Sequence, residues 1–179
     1  MQRSRRRRAQ STRSDNGIVK PEERLEKAAE LFQSAFEAQM RGALDDAVQL
    51  YKKSIDIYPT AEAHTFLGWT YSFQGSLADA IAECKKAIIV DPDFGNPYND
   101  IGAYLIELGQ LDDAIPWLEK ATHARRYEAP HYPHFNLGRV YIAKEMYNRA
   151  LAEFVAALEL RPDYEAAGKA IAALKKKLN

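Results

Sequence analysis

The sequence predicts an all-α fold: an α-solenoid of about four helix–turn–helix pairs closed by one C-terminal capping helix. The first ground is a period. Gly42, Gly75 and Gly109 are spaced by 33 and 34 residues, and Gly68, Gly102 and Gly138 by 34 and 36. Ala47, Ala80, Ala114 and Ala150 are spaced by 33, 34 and 36, and Pro59 and Pro92 by 33, with Pro162 a further 70 residues on. Self-similarity at one period of this size is the signature of a repeat array. The second ground lies inside each period, where two helix-length segments flank a glycine. In the second period they run over about 61–74 and 77–90 and stop before Pro92, a residue that cannot continue a helix.

Residues 1–17 read MQRSRRRRAQSTRSDNG, with Arg3, Arg5, Arg6, Arg7, Arg8 and Arg13 and no acid before Asp15. Formal net charge is zero over 179 residues, so the rest of the chain is acidic: 19 bases face 25 acids after residue 14. No apolar residues recur in the tail to offset the entropy of ordering it, so it reads as disordered. No apolar stretch follows its basic start, unlike a secretory signal. A solvated tail, an electrostatic contact with nucleic acid or anionic lipid, and a basic targeting signal all fit its composition. Pro21 then suits the first helical position, with Glu22 and Glu23 in the first turn, where acids complement the helix dipole. Leu25, Ala28, Leu31, Phe32, Ala35 and Phe36 recur at helical spacing up to Met40, and Gly42 supplies the stop.

Within each pair small residues have a mechanical role. Gly68 and Ala80 fall where two helices cross, and larger Leu67, Tyr71 and Ile81 fill the space around them. Pro116 falls near a helix start with Asp112 as its N-cap, which limits the loss to the first intrahelical bond. Glu145 stands at the turn position its neighbours fill with glycine, a mildly strained choice.

The pattern resembles the tetratricopeptide repeat (TPR) family. Its matches are Leu67-Gly68-x2-Tyr71 with Ala80-x3-Cys84, Ala87 and Pro92; Tyr98-x2-Ile101-Gly102-x2-Leu105 with Ala114-x3-Leu118 and Ala121; and Leu137-Gly138-x2-Tyr141 with Ala150-x3-Phe154, Ala157 and Pro162. A weaker copy has Leu31, Ser34 and Ala35, then Ala47-x3-Tyr51, Ser54 and Pro59. The implied organisation is a disordered tail over 1–17, an N-terminal helix and first repeat over 18–60, repeats over 61–94, 95–130 and 131–164, and a capping helix over 165–179. The third repeat lacks its terminal proline and carries two extra residues, so a longer, looser connection is expected around His123 to Pro133.

The resemblance implies that the first helix of each pair lines a concave groove. A helical wheel then places Phe32, Phe36, Thr65, Trp69, Asn96, Asn99, Phe135 and Arg139 toward it, with Asp100 and Asn136 at its edge. Aromatic side chains there suit apolar anchors of a partner, and amides suit a peptide backbone. Phe32 and Phe36 are also readable as packing residues, with Ile18 and Val19 folded over them. The carboxylate clamp of chaperone-binding members does not map: its positions hold Thr65, Trp69, Asp100, Tyr132 and Asn136, or Phe32, Phe36, Phe66, Asn96 and Asp100, without a cation.

No catalytic constellation, phosphate loop or cofactor motif is present. Cys84 takes the place of a consensus core residue and reads as a buried thiol. His123, His131 and His134 cluster in sequence, but Pro133 disfavours a helical ligand pair, and no metal site is expected. The expectation is a non-enzymatic, cytoplasmic interaction module that binds a peptide or protein. Tethering to nucleic acid or anionic membrane through the arginine tail is the alternative, and self-association through ends and grooves is a third outcome.

Overall fold

The computed structural model describes residues 20–178. The tail expected over 1–17, and Ile18 and Val19 as a cover for Phe32 and Phe36, lie outside the described residues. Nine helices occupy the described residues: α1 (Pro21–Met40), α2 (Leu44–Ile57), α3 (Ala61–Phe73), α4 (Leu77–Val90), α5 (Asn96–Glu107), α6 (Leu111–Thr122), α7 (His131–Ala143), α8 (Tyr147–Leu160) and α9 (Glu165–Leu178). Each packs on the next in the chain. In addition α1, α3, α5 and α7 touch one another in sequence, whereas the second helices of successive pairs make no comparable contact. The first helices are therefore closer together, and the array curves with them on the inside.

Tyr51, Cys84, Leu118 and Phe154 recur at one position of the second helices and are almost wholly buried. Opposite them stand Ala35, Gly68, Gly102 and Gly138. A Cβ on Gly102 would lie 2.4 Å from Leu118 Cδ2, and one on Gly138 would lie 2.4 Å from Phe154 Cε1. A Cβ on Gly68 would approach Ala80 O at 3.1 Å and Cys84 Sγ at 3.2 Å. The helix pairs thus close over a space from which one carbon is missing, at native packing density. Leu174 of α9 joins the core that α4 to α8 build.

The four turns within pairs share one hydrogen-bond pattern. Ala43 N donates to Ala38 O, Ser76 N to Tyr71 O, Gln110 N to Leu105 O, and Met146 N to Tyr141 O, each at 2.8–2.9 Å, which closes the preceding helix. That geometry needs a left-handed residue, filled by Gly42, Gly75, Gly109 and, at φ 58°, Glu145.

Two expectations are corrected. Gln110, not Asp112, caps α6; Asp112 sits inside the first turn, and Pro116 is the sixth helical residue. The bond that Pro116 forfeits is an interior one, since Ala114 N already donates to Gln110 O. The connection from α6 to α7 is long but not loose. Arg126 N donates to Asp93 O and Gly95 N to Arg126 O, both at 3.0 Å, so it pairs with the α4–α5 turn. The Arg126 guanidinium meets Glu62 at 2.7 Å and Asp91 at 2.6 Å and lies 4.1 Å from the Phe94 ring centroid.

Glu145→Gly should raise stability by about 0.5–1 kcal/mol in thermal or urea unfolding, because it relieves a left-handed side chain. Gly138→Ala should lower it by about 1–3 kcal/mol, because the Phe154 ring must move. Arg126→Ala should expose the 123–130 connection to limited proteolysis and lower stability by about 1 kcal/mol, less in high salt.

Candidate functional site

The inner face is built from α3, α5 and α7, and its polar residues bond to one another across the helices. Trp69 Nε1 on α3 donates to Asp100 Oδ2 on α5. Asn136 Nδ2 on α7 donates to Asn99 Oδ1 on α5 at 2.9 Å, and Arg139 Nη1 donates to Asn136 Oδ1 at 3.0 Å. A longer contact of 3.5 Å from Asn99 Nδ2 to Asp100 Oδ1 joins the two halves. The result is one polar row, Trp69–Asp100–Asn99–Asn136–Arg139, in which the three central residues are buried and Arg139 is exposed. Each amide keeps spare hydrogen-bonding capacity along this row. No buried side-chain polar atom among the described residues lacks a partner.

Three hollows lie along the first helices. One of about 210 Å³ is lined by Leu25, Ala28, Phe32, Thr60 and Glu62. One of about 390 Å³ lies against Glu62, Phe66, Trp69, Phe94, Asn96 and Glu128. One of about 400 Å³ at the other end is lined by Phe135, Arg139, Ile142, Leu174 and Lys177. Phe32 and Phe36 sit half-buried, with ring edges against Phe66 at centroid distances of 5.1 and 5.8 Å. The aromatic row continues from Phe66 to Trp69 at 4.6 Å.

Thr65 departs from its expected place. It is wholly buried, and its hydroxyl donates to Ala61 O at 2.8 Å, so it presents nothing to the groove. Gln39 of α1 is buried where it accepts from Tyr51 Oη and Thr70 Oγ1. Glu62, Phe66 and Phe94 escaped the wheel reading, because their hollow exists only where the 123–130 connection folds back. The two extra residues of the third repeat were the available signal.

Burial pushes the Asp100 carboxyl up to about 7, against hydrogen bonds from Trp69 and Asn99 that favour its charge. Glu83, behind the inner face, goes the other way. Burial would raise it, but His64, 2.7 Å away, and Lys86, 2.6 Å away, hold it below the usual carboxylate range. His134 repeats the histidine pairing with Glu153 at 2.8 Å. His131 packs against Tyr132 and Tyr164, and His123 contacts Glu119 O. The three histidines are thus held by different groups, and no cluster of three or more His, Cys, Asp or Glu among the described residues is placed for a metal ion. Burial raises the Cys84 thiol well above its ordinary value, which disfavours a reactive thiolate.

Models of the tetratricopeptide repeat match residues 61–94, 96–126 and 131–164, more than half of the chain. The chain belongs to the tetratricopeptide repeat family. TPR arrays are protein-interaction scaffolds, generally without catalytic activity. Solved structures share the fold. The pilF protein of Pseudomonas aeruginosa is 24% identical with a TM-score of 0.80, over 86% of this chain and 70% of that one. MamA is 23% identical with a TM-score of 0.69, over 80% and 83%. YrrB, described as a TPR protein with an unusual peptide-binding site, is 22% identical with a TM-score of 0.64, over 86% and 82%. No described helix of this TPR chain is long and apolar enough to cross a membrane.

Asp100 makes a prediction about pH. Its folded-state value lies above the unfolded one, so the folded state binds the extra proton. Stability should be greatest below about pH 4 as far as this group is concerned, and fall as pH rises toward about 7, by of order 2–4 kcal/mol. Asp100→Asn should remove that component when its urea unfolding is compared with the parent across this range; the Glu83 contribution, which is lost as pH falls, cancels in the comparison.

Proposed function

We propose that this protein is a non-enzymatic, cytoplasmic adaptor that holds a peptide or partner protein along the inner face of α3, α5 and α7. The observation that carries this reading is the polar row from Trp69 to Arg139, which runs between two hollows of about 390 and 400 Å³. Amides along a row suit an extended backbone, and hollows at its ends suit side chains. The peptide-binding site named for YrrB supports the reading by analogy. Phe135 and Arg139 line the hollow nearer α9, and Trp69 and Asn96 the other, so four of the residues singled out in the sequence would touch the ligand. Phe32 and Phe36 would extend the aromatic wall, while Asp100, Asn99 and Asn136 would set the spacing of the row.

A displayed-peptide library selected on the full chain provides the test. Selected peptides should bind Arg139→Ala and Asn99→Ala about tenfold more weakly, or roughly 1.4 kcal/mol, and should bind unchanged to Lys53→Ala on α2. Equal affinity for all variants would move the binding surface off this face. The alternative, tethering to nucleic acid or anionic lipid, rests on six arginines within residues 1–14. It requires binding that weakens steeply with salt and disappears when those arginines are replaced.

A further inference from the structure

The groove reading leaves two features unused: the arginine-rich stretch and the acidic character of the hollow beside Trp69. That hollow has aromatic walls, Phe66, Trp69 and Phe94, and its rim carries Glu62 and Glu128. Arg126 is the one cation among its lining residues, and it is already held by Glu62 and Asp91. The hollow therefore has two lining carboxylates, Glu62 and Glu128, against one guanidinium that Asp91 also holds, which leaves it net negative beside its aromatic rings. A guanidinium matches both parts, because its plane stacks on rings and its fork bonds carboxylates. Arg126 shows the arrangement in the wall itself, over Phe94 and between two acids.

The chain carries such groups within reach. Residues 3–13 hold six arginines and no acid, whereas the body after residue 14 has six more acids than bases. The chain enters α1 at the right end of the array. Arg24 donates to Ile57 O at the end of α2, and Leu25 and Ala28 line a hollow together with Glu62. Glu62 also lines the hollow of Trp69, so the first turns of α1 lie one hollow away. The twelve residue steps from Arg8 to Lys20 span up to about 40 Å when extended, several times the spacing of neighbouring helices, about 10 Å.

We propose that the arginine-rich segment 3–13 of this chain occupies the hollow formed by Glu62, Trp69, Phe94 and Glu128, and so competes with ligands of the groove. The contact itself needs no partner; the competition rests on the groove reading.

The experiment uses the full chain with Trp117→Phe, so that Trp69 alone reports. Replacing Arg5, Arg6, Arg7 and Arg8 by serine should raise acrylamide quenching of Trp69 about twofold, as should Glu128→Gln and about 0.5 M salt. A synthetic peptide of residues 1–14 should restore the shielding in the serine variant, and bind about fivefold more weakly when Glu128→Gln is added. Glu128 is an exposed loop residue, so the fold should be unaffected, which far-UV circular dichroism checks. Quenching that ignores the arginines, or peptide binding that ignores Glu128, overturns the proposal. Shielding that appears only as sedimentation shows the mass doubling assigns the segment to a second copy and overturns the intramolecular form. The shielding is read without any groove ligand, so failure of the groove reading would leave it in place, and Lys53→Ala on α2 should not change it.

Discussion

The architecture depends on a missing carbon. At one crossing in each of three helix pairs, a glycine on the first helix faces the second so closely that a Cβ would meet Cys84, Leu118 or Phe154 at 2.4–3.2 Å. Buried side chains of quite different size, from cysteine to phenylalanine, are accepted opposite that gap, and the first pair manages with Ala35 against Tyr51. The gap lets the first helices lie deep against their partners. Their outer sides then meet one another and form the inner face of the array. Every later feature, from the polar row to the hollows, sits on that face.

Such a face would be expected to be apolar where helices touch, yet this one joins α3, α5 and α7 through Trp69, Asp100, Asn99, Asn136 and Arg139. A buried network of this kind stands or falls as a unit, because any unpaired member carries its full desolvation cost. It fixes the relative register of three repeats and holds the amides where a ligand would meet them. It also stores an ionisable group: burial raises the Asp100 carboxyl to about 7, between a donor on its own helix, Asn99, and one on α3, Trp69.

A repeat array offers many equivalent surfaces, and specificity has to come from what breaks the equivalence. Here the break is the 123–130 connection. Arg126 reaches back past a whole repeat to Asp91 and Glu62 and stacks on Phe94, while Tyr127 fills the space beside Gly95. An insertion that would otherwise cost order becomes a wall, and one hollow of the inner face gains Glu128 as a second acid beside Glu62.

The repeats, the helix pairs, the turn glycines with Glu145 among them, and the buried place of Cys84 were all legible from spacing and residue size. These depend on contacts that recur once per repeat, and recurrence is visible along a chain. Nine of the ten inner-face residues named from the wheel sit in the polar row, the aromatic wall or a hollow, and Thr65 turns out wholly buried. A wheel gives direction around one helix but not the depth at which the neighbouring helix stops, and depth is what removed Thr65. The cap of α6 and the path of the 123–130 connection were decided by particular partners far away in sequence. Asp91, Asp93 and Glu62 carry no local mark that they receive Arg126, so that wall came into being with the packing of the whole array.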